Sequence, residues 1–196
     1  PVHGFILEKL LAKFPNDGAF LAFVKAIFPK VVHSHRFFYT YRDPKREGLA
    51  FLYHPWETGR DNSPLWDESN ARIKIDKSTL PAYTRQDTKL ADKKERPTSD
   101  QYYRFVYMLE LGKKHQYDGE CIFEESPVLL QDTLTNAILI QSNQSLIRIG
   151  ERLKLDTAEL KEWQSQAIPQ CRNKLWNDEL KTFTCFDARK GEQIVH

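Results

Sequence analysis

The sequence predicts an all-α protein with long loops and very little strand. Apolar residues recur at three- and four-residue steps along much of the 196-residue chain, which is the spacing of amphipathic helices. Capping residues and prolines divide these stretches into five or six helices. Strand-like patterns are confined to short runs, and no repeat of the solenoid kind is evident. Consecutive helices joined by loops therefore predict an array of helical hairpins.

The N-terminal part predicts two helices. Residues 5–14 form a short amphipathic pattern, and residues 18–41 carry the cleanest helical periodicity of the chain. Pro29 removes one backbone hydrogen bond from the second helix and predicts a bend there. His33 and His35 face different sides of this helix, so we expect packing roles for them rather than a metal site.

The apolar run at residues 49–53 predicts a buried strand or an extended segment that anchors the loop after it. Beyond residue 67, a polar and poorly periodic region reaches about residue 95. Loops of this length are usually functional or mobile. Two interpretations stay open, a lid over a site and a plain surface excursion.

Two more helices are predicted in the middle of the chain. Thr98 and Gln101 match a capping box that starts the first of them. The second covers residues 128–153 and is strongly apolar. Gln131 and Asp132 lie near its start.

The C-terminal part predicts one further helix and a hairpin. Asp156 and Glu159 match a capping box, and the helix that they open should kink or restart at Pro169. It then continues to about residue 180. Residues 183–187 look like a short strand that leads into a turn.

Composition restricts the classes of partner. The chain has 29% charged residues and a net charge of +2, without a dominant block of Lys or Arg, so we expect no nucleic-acid partner. No apolar stretch is long enough to span a membrane. The three cysteines form no CxxC pair, so neither a zinc site nor a disulfide framework is suggested, and reduced thiols in a cytoplasmic protein are the simplest interpretation. We also expect no metal and no cofactor. Because the sequence starts at Pro1, the lack of a signal peptide carries no weight.

The fourteen residues from His54 to Asp67 differ from every helical pattern in the chain. They contain two Trp, two Pro, a Gly and three acids. The prolines and the glycine break a helical register, so the segment is predicted to be a shaped loop. An indole offers a flat apolar face to a sugar ring, and a flanking acid can pass a proton to a glycosidic oxygen. The simpler interpretation is a packed surface turn whose two indoles fill the core.

These fourteen positions resemble the motif of glycoside hydrolase family 63, which reads His-Pro-Trp-Glu-Ser/Thr-Gly-x-Asp-Asn-Ser-Pro-x-Trp-Asp. Thr58 stands at the Ser/Thr place. Softer similarity extends along most of the chain, at Arg96-Pro97, Tyr102-Tyr103-Arg104, Gln131-Asp132 with Asn136, and residues 174–179. The resemblance implies part of an (α/α)6 barrel, a toroid of six helical hairpins, that cleaves a glycosidic bond.

The resemblance also implies roles for residues of this loop. Asp61 stands at the position of the family's general acid. Trp56 and Trp66 would wall the sugar pocket. Glu57 would bind a hydroxyl or supply a like charge, and Asn62 would mainly fix the loop.

Gln131 and Asp132 allow two interpretations. At the mouth of a barrel they would bind sugar hydroxyls. Alternatively, Asp132 is an acid favoured at a helix N-terminus by the helix dipole. The sequence does not decide between them.

Catalysis in this family proceeds with inversion, which needs a second carboxylate roughly 6.5–9.5 Å from the acid to activate water. No acid in residues 1–196 occupies a motif that matches this base. We therefore expect one incomplete barrel domain that carries the acid without the base. Such a chain should have negligible activity alone.

An incomplete barrel would leave apolar inner faces uncovered, including Phe20, Phe23 and Ile138. We therefore expect, besides a carbohydrate substrate, a covering partner that is either a second copy or another chain completing the barrel. The alternative function is a non-catalytic carbohydrate-binding or interaction module built from a truncated barrel. A sugar lyase or isomerase on a similar helical ring is a further alternative.

Overall fold

The computed structural model describes residues 1–195, apart from the side chain of Leu90. The chain is mostly helical, as predicted. In chain order the α-helices are α1 (His3–Lys13), α2 (Gly18–Tyr41), α3 (Asp67–Ala71), α4 (Asp87–Leu90), α5 (Ser99–Lys114), α6 (Gly119–Glu125), α7 (Thr133–Leu153) and α8 (Ala158–Gln170). The strands are short: β1 (Leu130–Gln131), β2 (Trp176–Asn177), β3 (Thr182–Phe183), β4 (Cys185–Asp187) and β5 (Glu192–Ile194).

The chain forms two compact units. The first comprises Pro1–Ala50 and Asp132–Thr184. The second comprises Phe51–Gln131 and the residues from Cys185 onward. Each unit has an apolar core of its own.

The first unit is built from α1, α2, α7 and α8. Asp17 accepts the Phe20 N–H at 2.8 Å and caps α2, which spans the predicted residues with Pro29 inside it. Helix α1 lies close against α7, because a Cβ on Gly4 would come within 2.4 Å of Ser142 Oγ. The glycine therefore sets the distance between these two helices.

The predicted capping box before α8 is wrong. The Asp156 carboxylate accepts the Ala158 N–H at 3.0 Å, and Thr157, the residue before the helix, makes no side-chain cap. The Glu159 carboxylate points elsewhere and pairs with Arg36 at 2.6 Å. A tertiary ion pair thus replaces the local contact that the spacing suggested.

The end of α8 also differs from the prediction. The helix contains Pro169 and passes into a π-helix over Cys171–Leu175, instead of continuing to residue 180. Strands β2 and β3 then pair as an antiparallel hairpin, with the Trp176 and Phe183 rings 5.1 Å apart. This cross-strand contact outweighs the helical pattern of the segment.

Helix α7 starts five residues later than predicted, at Thr133. Asp132 takes the N-cap position, which ends the preceding segment in an extended conformation. That segment is β1, which pairs with β4 in the antiparallel sheet β1-β4-β5 of the second unit. Sheet pairing explains the difference, because an apolar run of this length suits either a strand or a helix.

Two other predictions in the second unit are confirmed. Leu52 exchanges two backbone hydrogen bonds of 2.7 Å with Leu130, so the apolar run before the motif is extended and buried. Helix α5 begins with the predicted capping box of Thr98 and Gln101. It ends at Lys114.

Residues 72–98, which we call the excursion, connect α3 to α5. They form short turns at Lys77–Thr79 and Lys93–Glu95 around α4. Asp76 and Asp92 cap those two turns by accepting backbone N–H groups at 2.9 and 3.0 Å. Polar contacts therefore shape this segment, and its role as a lid stays a prediction.

Candidate functional site

The motif loop, residues 54–67, folds into two short 3-10 turns in the second unit. The first is Pro55–Glu57 and the second is Pro64–Trp66. Each turn starts with a proline, which needs no N–H partner there, and each is capped by the side chain before it. Asp61 lies on the segment between them, so both turns restrict its position.

His54 holds the first turn through both ring nitrogens. Nδ1 accepts the Trp56 N–H at 3.1 Å, so Nε2 carries the proton and donates it to the Phe105 carbonyl at 3.0 Å. Burial lowers the pKa of His54 to about 4. The ring is therefore neutral at neutral pH, as this pair of contacts requires.

Glu57 completes the cap of the first turn. Its Oε2 accepts the Tyr53 N–H at 2.9 Å and the His54 N–H at 3.1 Å. His54 and Glu57 therefore form a capping box in which the N-cap residue is a histidine. In this structure Glu57 shapes the loop backbone, and its contact with a sugar stays a prediction.

Asp61 is partly buried, with 17% of its side chain exposed. Arg96 Nη2 donates to its Oδ2 at 2.9 Å, and Arg96 Nε lies 3.3 Å from Asp87 Oδ2. Arg85 pairs with the same Asp87 oxygen at 2.6 Å. We call these four residues the Asp–Arg network. The network links the motif loop to the excursion through charged side chains.

The two indoles of the motif loop have different environments. Trp56 is 41% exposed, with its ring centre 4.7 Å from the His54 ring and 5.7 Å from Tyr102. Trp66 is 1% exposed and belongs to the apolar core of the second unit. Trp66 therefore packs in the core in this structure, and its contact with a sugar stays a prediction.

An aromatic cluster beside Trp56 was not identified from the sequence. Tyr102 stacks with Tyr83 at 5.2 Å, and Tyr83 meets Tyr103 at 5.5 Å. The Arg85 guanidinium lies 4.4 Å from the Tyr102 ring centre. The sequence feature that could have indicated this cluster is the pair Tyr102 and Tyr103 near the start of α5, next to the capping box.

Asn62 joins the motif loop to the end of the excursion. Its Nδ2 donates to the Glu95 carbonyl at 2.9 Å. This contact agrees with a role in fixing the loop. Binding of substrate by Asn62 stays a prediction.

Gln131 and Asp132 are both buried, at 3% and 0% exposure. Gln131 lies in β1, opposite Phe186. The Asp132 Oδ2 accepts the Thr135 N–H at 2.8 Å and the Thr135 hydroxyl at 2.7 Å. Asp132 is therefore a helix cap, which favours the simpler of the two interpretations for this residue.

Other kinds of site are not found among the described residues. No helix in the described part of the chain has the length and apolar character needed to cross a bilayer. Residues 1–195 contain no group of three or more His, Cys, Asp or Glu side chains arranged to hold a metal ion. The three cysteines are free thiols.

Comparison with known proteins identifies relatives over the whole chain. The family model for the mannosylglycerate hydrolase MGH1-like glycoside hydrolase domain matches residues 3–196. The mannosylglycerate hydrolase of Thermus thermophilus is 34% identical over 195 residues, covering 100% of this chain and 46% of that protein. The glucosylglycerate hydrolase of Mycolicibacterium hassiacum is 32% identical over 168 residues, covering 83% of this chain and 37% of that protein.

Solved structures show the same likeness. A crystal structure of the family 63 mannosylglycerate hydrolase from Thermus thermophilus with Tris matches with a TM-score of 0.92 at 34% identity, over 100% of this chain and 46% of that one. Another, with Tris and D-glycerate, gives 0.93 over 100% and 47%. The chain thus spans about half the length of these relatives, and its helices correspond to part of an (α/α)6 barrel. The motif, the match over the whole of this chain and the shared fold together place the chain in glycoside hydrolase family 63, among the relatives of the mannosylglycerate hydrolases.

Proposed function

We propose that this chain carries the general acid of an inverting glycoside hydrolase that cleaves an α-glycosidic bond. The observation that carries the proposal is the placement of Asp61 between two capped turns, in the same loop as the exposed indole of Trp56. In this reaction the carboxyl of Asp61 protonates the departing glycosidic oxygen. A second carboxylate activates a water on the opposite face of the sugar.

Trp56 is the best-supported sugar contact. Its face is available, and its position is fixed by ring contacts with His54, Tyr102 and Phe105. A rigid, half-exposed indole offers apolar area with little loss of side-chain freedom on binding. This combination suits stacking against one face of a hexose.

The proposed substrate class follows from the relatives. The relatives are named as hydrolases of mannosylglycerate and glucosylglycerate, and one of the matching crystal structures holds D-glycerate. Glycerate carries a carboxylate. The guanidinium groups of Arg85 and Arg96 are already paired with Asp61 and Asp87, so the relatives alone support the substrate class. We therefore propose a small glycoside with an anionic aglycone as substrate.

The catalytic base is proposed to lie in polypeptide outside this span. The chain spans 46% of the Thermus thermophilus relative, which leaves more than half of that length to supply a second carboxylate. A single carboxyl performs half of the inverting mechanism. The chain alone is therefore proposed to be inactive.

A covering partner for the first unit is part of the same proposal. One side of α1, together with the residues that flank it, carries apolar side chains every four residues, each at least 37% exposed: Val2, Ile6, Leu10 and Phe14. Aromatic rings extend this apolar side. The Phe14 and Phe20 ring centres are 5.9 Å apart, and the Phe20 and Phe23 ring centres are 6.1 Å apart. Phe23 is 50% exposed, whereas Phe20 and Ile138 are half-buried. Such a continuous apolar stripe supports the binding of a second copy or of the remaining barrel helices.

The free thiols of the three cysteines support a reducing compartment, so a cytoplasmic location belongs to the proposal. The location can be checked by fractionating cells that express the natural protein. Recovery in an oxidising compartment would contradict it.

The test compares Asp61→Asn with Asp76→Asn in the complete enzyme, with release of hexose from mannosylglycerate and glucosylglycerate as the assay. Loss of the acid should lower turnover by about 10²–10⁴-fold. Asp76 is an exposed turn cap that Asn can replace, so its variant should keep wild-type turnover.

The anomer released, followed by NMR, reports inversion directly. Retained turnover in Asp61→Asn would overturn the assignment of the acid. Sugar binding by a wild-type enzyme that releases no hexose would favour the alternative of a carbohydrate-binding module.

A further inference from the structure

Arg96 is shared by two carboxylates. Its Nη2 donates to Asp61 Oδ2 at 2.9 Å, and its Nε contacts Asp87 Oδ2 at 3.3 Å. Both aspartates are 17% exposed, so water only partly screens these charges. The excursion therefore contributes charges directly to the surroundings of Asp61.

Asp87 is a permanent negative charge at the far side of Arg96. Arg85 binds it with two hydrogen bonds, of 2.6 and 3.1 Å. These contacts with Arg85, supported by those with Arg96, lower the pKa of Asp87 to about 2. Asp87 thus stays ionised throughout the pH range in which an enzyme of this kind would work.

This arrangement changes what Arg96 does to Asp61. An arginine with one carboxylate partner strongly favours the ionised form of that carboxylate, and an ionised group cannot act as an acid. A second, fixed carboxylate on the same guanidinium offsets part of its charge. It also repels a second negative charge nearby.

We propose that Asp87 is a positioning residue for the general acid: by sharing Arg96, it keeps the Asp61 carboxyl oriented and able to hold a proton. The inference rests on the proposed function, because it takes Asp61 as the acid. It assigns the excursion a part in catalysis that does not require it to move as a lid.

The other titratable groups near Asp61 do not supply this effect. In the motif loop, His54 is neutral at neutral pH, since burial lowers its pKa to about 4. The Glu57 carboxylate is engaged by two backbone N–H groups. From the excursion, Arg96 contacts Asp61 itself, Asp87 lies behind it, and Arg85 is paired with Asp87. Asp87 is therefore the side chain whose charge the experiment removes.

The experiment measures the pH profile of kcat/KM for Asp87→Asn in the complete enzyme. The limb at which activity is lost with rising pH should move down by about one pH unit, because Arg96 and Arg85 then lose the negative charge that they share. Asp92→Asn is the matched control, since Asp92 caps a turn of the same excursion and Asn also caps well. Its profile should match the wild type.

Asp87→Glu keeps the negative charge, so the pH at which its activity is lost should match that of the wild type. A loss of activity by the same factor at every pH would overturn the proposal and leave Asp87 as a structural anchor only. An unchanged profile in Asp87→Asn would overturn it as well.

A second measurement separates this inference from the proposed function. In the complete enzyme, the carboxyl carbon signal of Asp61 can be followed against pH by NMR, without any need for turnover. Its midpoint should fall in Asp87→Asn and stay in place in Asp92→Asn. If Asp61→Asn keeps full activity, the proposed function fails, while this signal still reports whether Asp87 controls Asp61.

Discussion

Two buried histidines, His35 in the first unit and His54 in the motif loop, hold their protons on opposite ring nitrogens. They are 0% and 3% exposed, and burial lowers the pKa of each to about 4. Residue type, burial and charge state are therefore the same. The difference between them lies in what each ring is bonded to.

His35 belongs to a side-chain network between helices. Asn143 Nδ2 donates to the Tyr39 hydroxyl at 2.7 Å, so its oxygen faces His35 Nδ1 at 2.6 Å and Nδ1 carries the proton. Ser142 donates to His35 Nε2 at 3.2 Å and accepts the Gly4 N–H at 3.0 Å. The network joins α1, α2 and α7.

His54 instead bonds to the backbone on both sides, at Trp56 N–H and the Phe105 carbonyl. Its network is local and leads to an exposed indole. A buried neutral histidine can therefore stabilise a core or shape a site. The hydrogen-bond partners of its two ring nitrogens distinguish these two roles.

The largest expected effect is on the core network. His35→Ala should lower the free energy of unfolding by about 3–5 kcal/mol, because it leaves a cavity and unpaired buried atoms of Ser142 and Asn143. Urea denaturation measures this. His33→Ala, an exposed histidine on the same helix, is the control and should change stability by less than about 0.5 kcal/mol. Equal effects would remove the distinction between the two positions.

The second-largest effect is on the pH dependence of the free energy of unfolding. Each histidine has its pKa lowered from 6.5 to about 4 on folding, so the folded state binds fewer protons. Stability is full above pH 6.5 and should be lost as pH falls towards 4, by up to about 3 kcal/mol per histidine. Asp43 works in the opposite direction, since burial raises its pKa to about 6.

Unfolding at pH 7 and pH 4.5, compared between wild type and His35→Gln, isolates one histidine from these opposing groups. The variant should show a weaker pH dependence. The same slope in both proteins would mean that His35 is not neutralised by folding.

A smaller and local effect is expected in the motif loop. His54→Ala removes the cap of the first turn and should destabilise it by about 1–2 kcal/mol, whereas Asn retains a cap oxygen for the Trp56 N–H. Hydrogen exchange at the Trp56 amide reports this difference. Exchange should accelerate in the alanine variant and remain slower in His54→Asn. His35→Ala should leave it unchanged if the two networks are independent.

The smallest effect is expected at Gly59, in the same loop. Its φ of +66° disfavours any other residue, but a Cβ there would meet nothing within 4 Å. Gly59→Ala should therefore cost about 1 kcal/mol of backbone strain alone. Gly4→Ala in the core should cost more, because its Cβ would meet Ser142 backbone and side chain. Thermal unfolding of both variants compares them, and the reverse order would show that loop strain exceeds core crowding.

The sequence predicted the structure correctly where the cause is local. The bounds of α2, the capping box of α5 and the break at the motif loop follow from prolines and capping residues within a few positions. It failed where a distant partner decides. The Asp61–Arg96 contact joins residues 35 positions apart, and Glu159 left its expected cap for Arg36.

By itself, the sequence determined that this chain is mostly helical, that residues 54–67 form a shaped loop and that its family is a glycosidase family. These properties depend on short-range sterics and on residue identity. Only the tertiary structure decided that Trp56 is exposed while Trp66 is buried, and that Arg96 joins Asp61 to Asp87. Burial and ion pairing depend on which distant segments meet, and spacing along the chain does not encode that.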